Sequence, residues 1–232
     1  KRNDKELYKY VNIMEYHNDE YIITNKISDA NIKEMKNNMS EDDIEDFAKY
    51  KVNISPRKNT INIKQKCLSF VENFDDPNSK NLLFTGNTGL GKTFMSNCIA
   101  NELLQKGKSV LYQTAPVLLE TIINNKMSKN KTPSQDLFYK SVLEADLLII
   151  DDLGTEKVND MKIAELFTII NTRSLNQNHR NTKTIISTNL TIEELFKVYT
   201  NRIGSRLVGN YRFLRFFGDD LRFKKNKNNQ EF

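Results

Sequence analysis

NLLFTGNTGLGKTFMSNC, Asn81 to Cys98, runs from an apolar pentapeptide through a glycine-rich turn into a helix-forming stretch. Its centre, GNTGLGKT from Gly86 to Thr93, fits G-x-x-x-x-G-K-[ST], and it lies directly after a strand signal and directly before an amphipathic helix, the setting that gives this pattern its meaning. The glycines let backbone N–H groups close on an anion without side-chain clashes, and the positive end of the following helix favours negative charge there. The expected nucleotide-binding residues are Gly86, Asn87, Thr88, Gly89, Leu90, Gly91, Lys92, Thr93 and Phe94. Lys92 would contact the β- and γ-phosphates, and the Thr93 hydroxyl would ligate Mg2+.

A phosphate loop of this kind needs an acid at the tip of a neighbouring strand, and LLIIDDLG, Leu147 to Gly154, supplies two. Asp151 is the natural metal partner. Asp152 then stands where a carboxylate can orient the attacking water. The same letters also fit the DxxG of a GTPase, but the guanine-reading NKxD is missing, since the chain offers only NKIS, NKMS and NKTP. Further on, TIISTN ends another strand with Asn189, which can bond both the γ-phosphate and the water. In NRIGSRL, Arg202 and Arg206 are four apart and share a helix face. Taken alone they read as solvated arginines; beside the other motifs, one of them can neutralise charge at a neighbour's γ-phosphate.

Around these motifs, apolar strands alternate with helices. Strand signals fall at NLLFT, SVLYQ, DLLII, KTIISTN and YRFLRFF, and helical periodicity runs from Ser55 to Phe74, from Lys92 to Gly107 and through PVLLETIINN, DLFYKSVLEA, DMKIAELFTIINTRSL and TIEELFKVY. The last opens with a capping box, Thr191 to Glu194. This alternation predicts an α/β fold with about five mostly parallel strands covered on both faces. The expected division is a polar N-terminal accessory segment at 1–54, a nucleotide-binding domain at 55–223 and a basic tail at 224–232.

A chain of 232 residues can bury a core without staples, and Cys67 and Cys98 read as small buried hydrophobes. No apolar run approaches membrane-spanning length and no secretion signal opens the chain, so a cytoplasmic protein with no membrane partner is expected. Residue 1 is Lys rather than Met, and further sequence is expected before it. With 35 basic and 30 acidic residues the net charge is +5, which permits nucleic-acid contact without demanding it. The basic loop KMSKNK (Lys126, Lys129, Lys131) could face a DNA strand, though a solvated surface loop explains it as well. YRFLRFFGDDLRFKK interleaves Arg and Phe as a stacking surface might, but period-two alternation reads it equally as a last core strand. His17 and His179 have no carboxylate or cysteine set around them and read as structural or surface residues.

In their order, GNTGLGKT, LLIIDDLG, TIISTNL and NRIGSRL resemble the AAA+ ATPases, most closely replicative helicase loaders of the DnaC/DnaI type, over roughly residues 55–222. The resemblance implies a P-loop αβα sandwich, ATP rather than GTP with Mg2+, Asn189 as the γ-phosphate sensor, and Arg206 as an arginine finger acting in trans. Self-association into a ring or spiral would follow. The implied partners are a hexameric replicative helicase and single-stranded DNA. IstB-like transposition helper ATPases share the same truncation after the finger and are the alternative, as is a nucleotide-gated interaction module with little hydrolysis. Only 26 residues follow Arg206, so the helical lid of this fold should be much reduced, with Arg222 the candidate for the second sensor. Most AAA+ enzymes carry Glu at the position of Asp152. A displacement of about 1 Å in a positioning group can cost on the order of 100-fold in rate, so slow hydrolysis is expected.

Overall fold

The computed structural model describes residues 56–130, 132–218 and 220. The segment 1–54, the cap Ser55, Lys131, Arg222 and the tail 224–232 lie outside these residues, as do His17 and the side chain of His179. The elements are α1 (Pro56–Glu72), β1 (Asn81–Thr85), α2 (Lys92–Gln105), β2 (Val110–Thr114), α3 (Ala115–Met127), α4 (Pro133–Glu144), β3 (Leu147–Leu153), α5 (Asp160–Arg180), β4 (Lys183–Thr188), α6 (Ile192–Asn210) and β5 (Tyr211–Arg215).

All five strands are parallel, in the order β2-β3-β4-β1-β5. Alternation along the inner strands divides the core into two layers. Leu147 and Ile149 of β3 join Leu82, Phe84 and Ile185 under α1 and α2. Leu148 and Ile150 join Leu83 and Ile186 under α3, α4, α5 and α6. Both faces are covered, which is why LLII is continuously apolar rather than alternating. The same holds for β5, where consecutive Phe213 and Leu214 are both buried. The expected αβα sandwich is therefore present, and YRFLR is a core strand, although its burial does not follow the period-two pattern that suggested it. Cys67 is buried and Cys98 only partly so, and both are free thiols. Among the described residues, no helix is long and apolar enough to cross a membrane.

Three elements differ from their sequence reading. First, α4 begins three residues earlier, inside the stretch read as a polar break: Pro133 suits the first turn, and Gln135 Oε1 accepts the Thr132 N–H at 3.0 Å, a capping box. Second, α6 joins the TIEELFKVY helix to NRIGSRL across a kink at Thr200 (φ 73°, ψ 156°). Third, β3 continues past the apolar run to Leu153, so both acids lie within the strand rather than just at its end.

The central crossing of α5 and β4 rests on a buried cation that sequence patterning missed. Arg173, 1% exposed, donates to Thr184 Oγ1 and to the carbonyls of Val142, Ala145 and Lys183 at 2.7–2.9 Å. Burial pulls its pKa down to about 10, so it stays charged near neutrality. Replacing it leaves three carbonyls without their donors. Arg173→Leu is expected to lower the unfolding free energy by about 3 kcal/mol in a denaturant titration.

Candidate functional site

The strand order decides where the chemistry can gather. β4 lies between the phosphate-loop strand β1 and the acid-bearing strand β3. The carboxyl ends of these strands form the crevice in which parallel α/β sheets bind ligands. Residues from four separate stretches of sequence meet there.

The loop after β1 is anchored from below, because Leu90 is buried and joins the core layer that contains Phe84 and Phe216. That burial leaves the backbone of Leu90, rather than its side chain, for a ligand. Lys92, 5% exposed, donates to Gly86 O at 2.6 Å, Asn87 O at 2.8 Å and Asn189 Oδ1 at 2.7 Å. The ammonium is thus held over the loop by oxygens that phosphate oxygens can replace, and Asn189 is already its neighbour. Asn87, Thr88, Thr93 and Asn189 are exposed at the mouth, while Phe94 is half-buried on the first turn of α2. The Asp220 carboxylate closes in from the other side: a Cβ on Gly89 would lie 2.0 Å from it. The chain beyond β5 therefore returns to the phosphate loop.

Thr93 Oγ1 donates to Asp151 Oδ2 at 2.9 Å. Asp151, 2% exposed, also accepts from Tyr112 on β2 and from Ser187 on β4. A hydroxyl and a carboxylate converging in this way are hard oxygen donors, the kind that Mg2+ prefers while it keeps phosphate oxygens and waters as further ligands. The residues present fit that ion. Tyr112 and Ser187 were invisible to motif reading, since nothing local marks a hydroxyl whose partner is 39 or 36 residues away. Burial first, and the hydrogen bond to Asp151 second, push the Tyr112 hydroxyl well above its ordinary pKa.

Asp152 sits in the left-handed region, φ 57°, where β3 and β4 lose register between Ile150 and Leu153. This bulge breaks the in-out alternation, so consecutive acids both act on the crevice. Ser187 Oγ accepts the Asp152 N–H at 2.9 Å while donating to Asp151, so one hydroxyl places both acids. Asp and Asn tolerate positive φ better than longer side chains, a backbone reason for Asp rather than Glu here. The half-buried Asp152 carboxyl holds its proton above the usual Asp range, through desolvation first and the charge of Asp151 second, with Lys92 opposing both.

Arg206 lies apart from this crevice on the second half of α6. Its Nε donates to Asn171 Oδ1 at 2.8 Å, and its guanidinium lies 4.5 Å from the Phe167 ring centre, on the face of α5. Arg202 is exposed one turn earlier. The structure thus brings together Lys92, Thr93, Asp151, Asp152 and Asn189, while Arg206 is engaged with Asn171 and Phe167 on α5.

A family model described as IstB-like ATP binding protein matches residues 17–229. The replicative helicase loader DnaC of Escherichia coli (strain K12) is 28% identical over 177 residues, covering 76% of this chain and 68% of that protein. The crystal structure of the DnaC helicase loader aligns with a TM-score of 0.58 at 22% identity, covering 68% of this chain and 90% of that one. The AMPPCP-bound DnaA structure from Aquifex aeolicus gives 0.60 at 22%, covering 75% and 52%. These structural likenesses identify the fold as that of P-loop AAA+ domains.

The raised Asp152 pKa has a measurable sign. A folded-state pKa above the unfolded value near 3.8 means that ionisation of Asp152 weakens the fold, and that the loss grows as pH rises through the folded pKa. Asn keeps the size and the left-handed backbone without the charge. Asp152→Asn is therefore expected to raise the stability of the nucleotide-free protein at pH 7, with the gain shrinking toward zero below about pH 4, as read from thermal melts across pH.

Proposed function

Because the chain belongs to the family of IstB-like ATP binding proteins, we propose that it is a slow, Mg2+-dependent ATPase of the helicase-loader type. It binds a hexameric replicative helicase, delivers it to single-stranded DNA at replication initiation, and uses ATP binding and hydrolysis to time its release. The observation that carries the catalytic half is the pairing of Lys92 with Asn189 and of Thr93 with Asp151 across strand tips that share one crevice. The loading half rests on the 177-residue likeness to a protein named as a replicative helicase loader. Such a protein works in the cytoplasm.

The chain's own groups divide the work. Backbone N–H groups of residues 86–93 and the Lys92 ammonium hold the β- and γ-phosphates, with Lys92 exchanging loop carbonyls for phosphate oxygens. Thr93 and Asp151 would hold Mg2+, which supplies charge neutralisation across the phosphates when bound. Asp152 accepts a hydrogen bond from the attacking water and directs its lone pair in line with the bond to be broken. Asn189 bonds the γ-phosphate and the same water. Arg206 serves the adjacent subunit, giving up Asn171 and Phe167 for that neighbour's γ-phosphate, which requires subunits side by side in a ring or spiral. Arg222 is assigned as the second γ-phosphate sensor, supported by the approach of Asp220 to the loop. Residues 55–223 form the ATPase domain, residues 1–54 an accessory segment toward the helicase, and 224–232 a basic tail. The short Asp152 side chain makes the enzyme a timer rather than a motor.

The family model is described as IstB-like ATP binding protein, and the resemblance to IstB-like transposition helpers carries a second reading, in which the client is a transposase on duplex DNA. Capture from the protein's own cell extract in the presence of Mg-ATP separates the two. A co-purifying hexameric helicase is expected, and a transposase in its place would overturn the loader reading. Turnover measured with and without single-stranded DNA is expected to be slow but present, whereas none under either condition would leave only a nucleotide-gated interaction module. Lys92→Ala is expected to weaken Mg-ATP binding by at least about 100-fold in a fluorescent-nucleotide titration, since it removes the charge that pairs with two phosphates. Unchanged affinity would remove the phosphate loop from the mechanism.

A further inference from the structure

One buried carboxylate takes no part in the chemistry above and yet touches both halves of the proposed mechanism. Glu156, 8% exposed, accepts the Gly154 N–H at 2.9 Å through Oε2 and the Tyr199 hydroxyl through Oε1. On one side it grips the turn that follows Asp152. That turn is tied throughout: Thr155 N and Oγ1 donate to Asp152 O, and Thr188 Oγ1 donates to Leu153 O. Gly154, at φ 101°, is pressed under Leu190, where a Cβ would come within 2.6 Å of the leucine side chain. Residues 152–156 therefore cannot shift without moving the β4 tip that carries Asn189.

On its other side Glu156 grips Tyr199, 1% exposed, the residue directly before the kink in α6. Thr200 is β-branched and sits at φ 73°, a strained conformation that persists only where its surroundings over-determine it. Tyr199 and Ile203 bury on either side of it, and beyond it Gly204 packs so closely on Phe196 that a Cβ would lie 2.5 Å from the ring. The segment held in this way carries Arg202 and Arg206. We infer that Glu156 and Tyr199 are positioning residues, which link the Asp152–Asn189 turn of one subunit to the arginine segment that the same subunit presents to its neighbour. This rests on the proposed trans role of Arg206. It gives the pair a task that no stabilising contact needs: when the turn responds to nucleotide, the hydroxyl–carboxylate bond moves the hinge.

Tyr199→Phe removes the hydroxyl and keeps the ring. It is expected to lower turnover about 10-fold with nucleotide affinity and KM within about 2-fold of the parent, because the groups of its own site are untouched. The decisive measurement mixes subunits of the full chain. Asp152→Asn subunits hydrolyse nothing themselves but keep Tyr199, Glu156 and both arginines, so adding them is expected to restore turnover at Tyr199→Phe sites. Arg206→Ala mixed with Asp152→Asn is the control for the trans arrangement. Recovery in the control but not with Tyr199→Phe would overturn the positioning role alone. Recovery in neither would overturn the trans finger and this inference with it. Glu156→Gln keeps an acceptor for Tyr199 but turns its NH2 toward the Gly154 N–H, so it is expected to lose at least as much turnover as Tyr199→Phe and to recover only in part in the same mixture. A loss without any recovery would mean that the pair only stabilises the fold.

Discussion

A carboxylate buried as deeply as Asp151 needs donors, and the upper half of this molecule is arranged to supply them. Thr93 comes from the start of α2, Tyr112 from the edge strand β2 and Ser187 from β4. An unpaired charge at that depth would cost several kcal/mol, so each donor is a constraint on where its element can lie. One side chain on β3 thereby pins the phosphate-loop helix, the outer strand and the central strand at a common level. The crevice at the strand tips is the rim of that arrangement.

The bulge at Asp152 follows from the same constraint. A regular strand would turn the second acid toward the opposite face, away from the first. With φ at 57° and its N–H on Ser187, Asp152 is brought back to the Lys92 side, within electrostatic reach of both Asp151 and the ammonium. The left-handed backbone, the choice of Asp and the serine beneath it form one device rather than three. Gly154 and the Thr188 hydroxyl then return the chain downward under Leu190.

The layers and the phosphate loop were legible because their signals are local. Continuous apolar runs bounded by turn residues mark strands covered on both faces, and GNTGLGKT carries its meaning within eight positions. The helical reading of TIEELFKVY stopped at Tyr199, where the kink falls, but the left-handed backbone of Thr200 and the continuation of the helix through NRIGSRL were not legible, since they depend on the burial of Tyr199 and Ile203 and on the packing of Gly204 against Phe196. The early start of α4 was written in Thr132-Pro133-Ser134-Gln135, a capping signal hidden by its polar surroundings. Nothing in the amphipathic pattern of DMKIAELFTIINTRSL singles out Arg173, which is among the most buried side chains.

The chemical types at the site were determined by sequence alone: a lysine and a hydroxyl on a glycine-rich turn, two adjacent acids after LLII, and an asparagine after TIIST. Each is a short covalent pattern with few physical meanings. What only the tertiary structure decided is how those types act on one another. Tyr112 and Ser187 hold Asp151, Asn189 shares Lys92, and Glu156 joins the acid turn to the arginine segment. These pairs span 36 to 97 residues, apart from the two-residue contact of Glu156 with Gly154, and they are set by the strand order β2-β3-β4-β1-β5. Which hydroxyl meets which carboxylate is a property of where strand ends lie in space, and along a single chain that information is spread over every packed residue of the core.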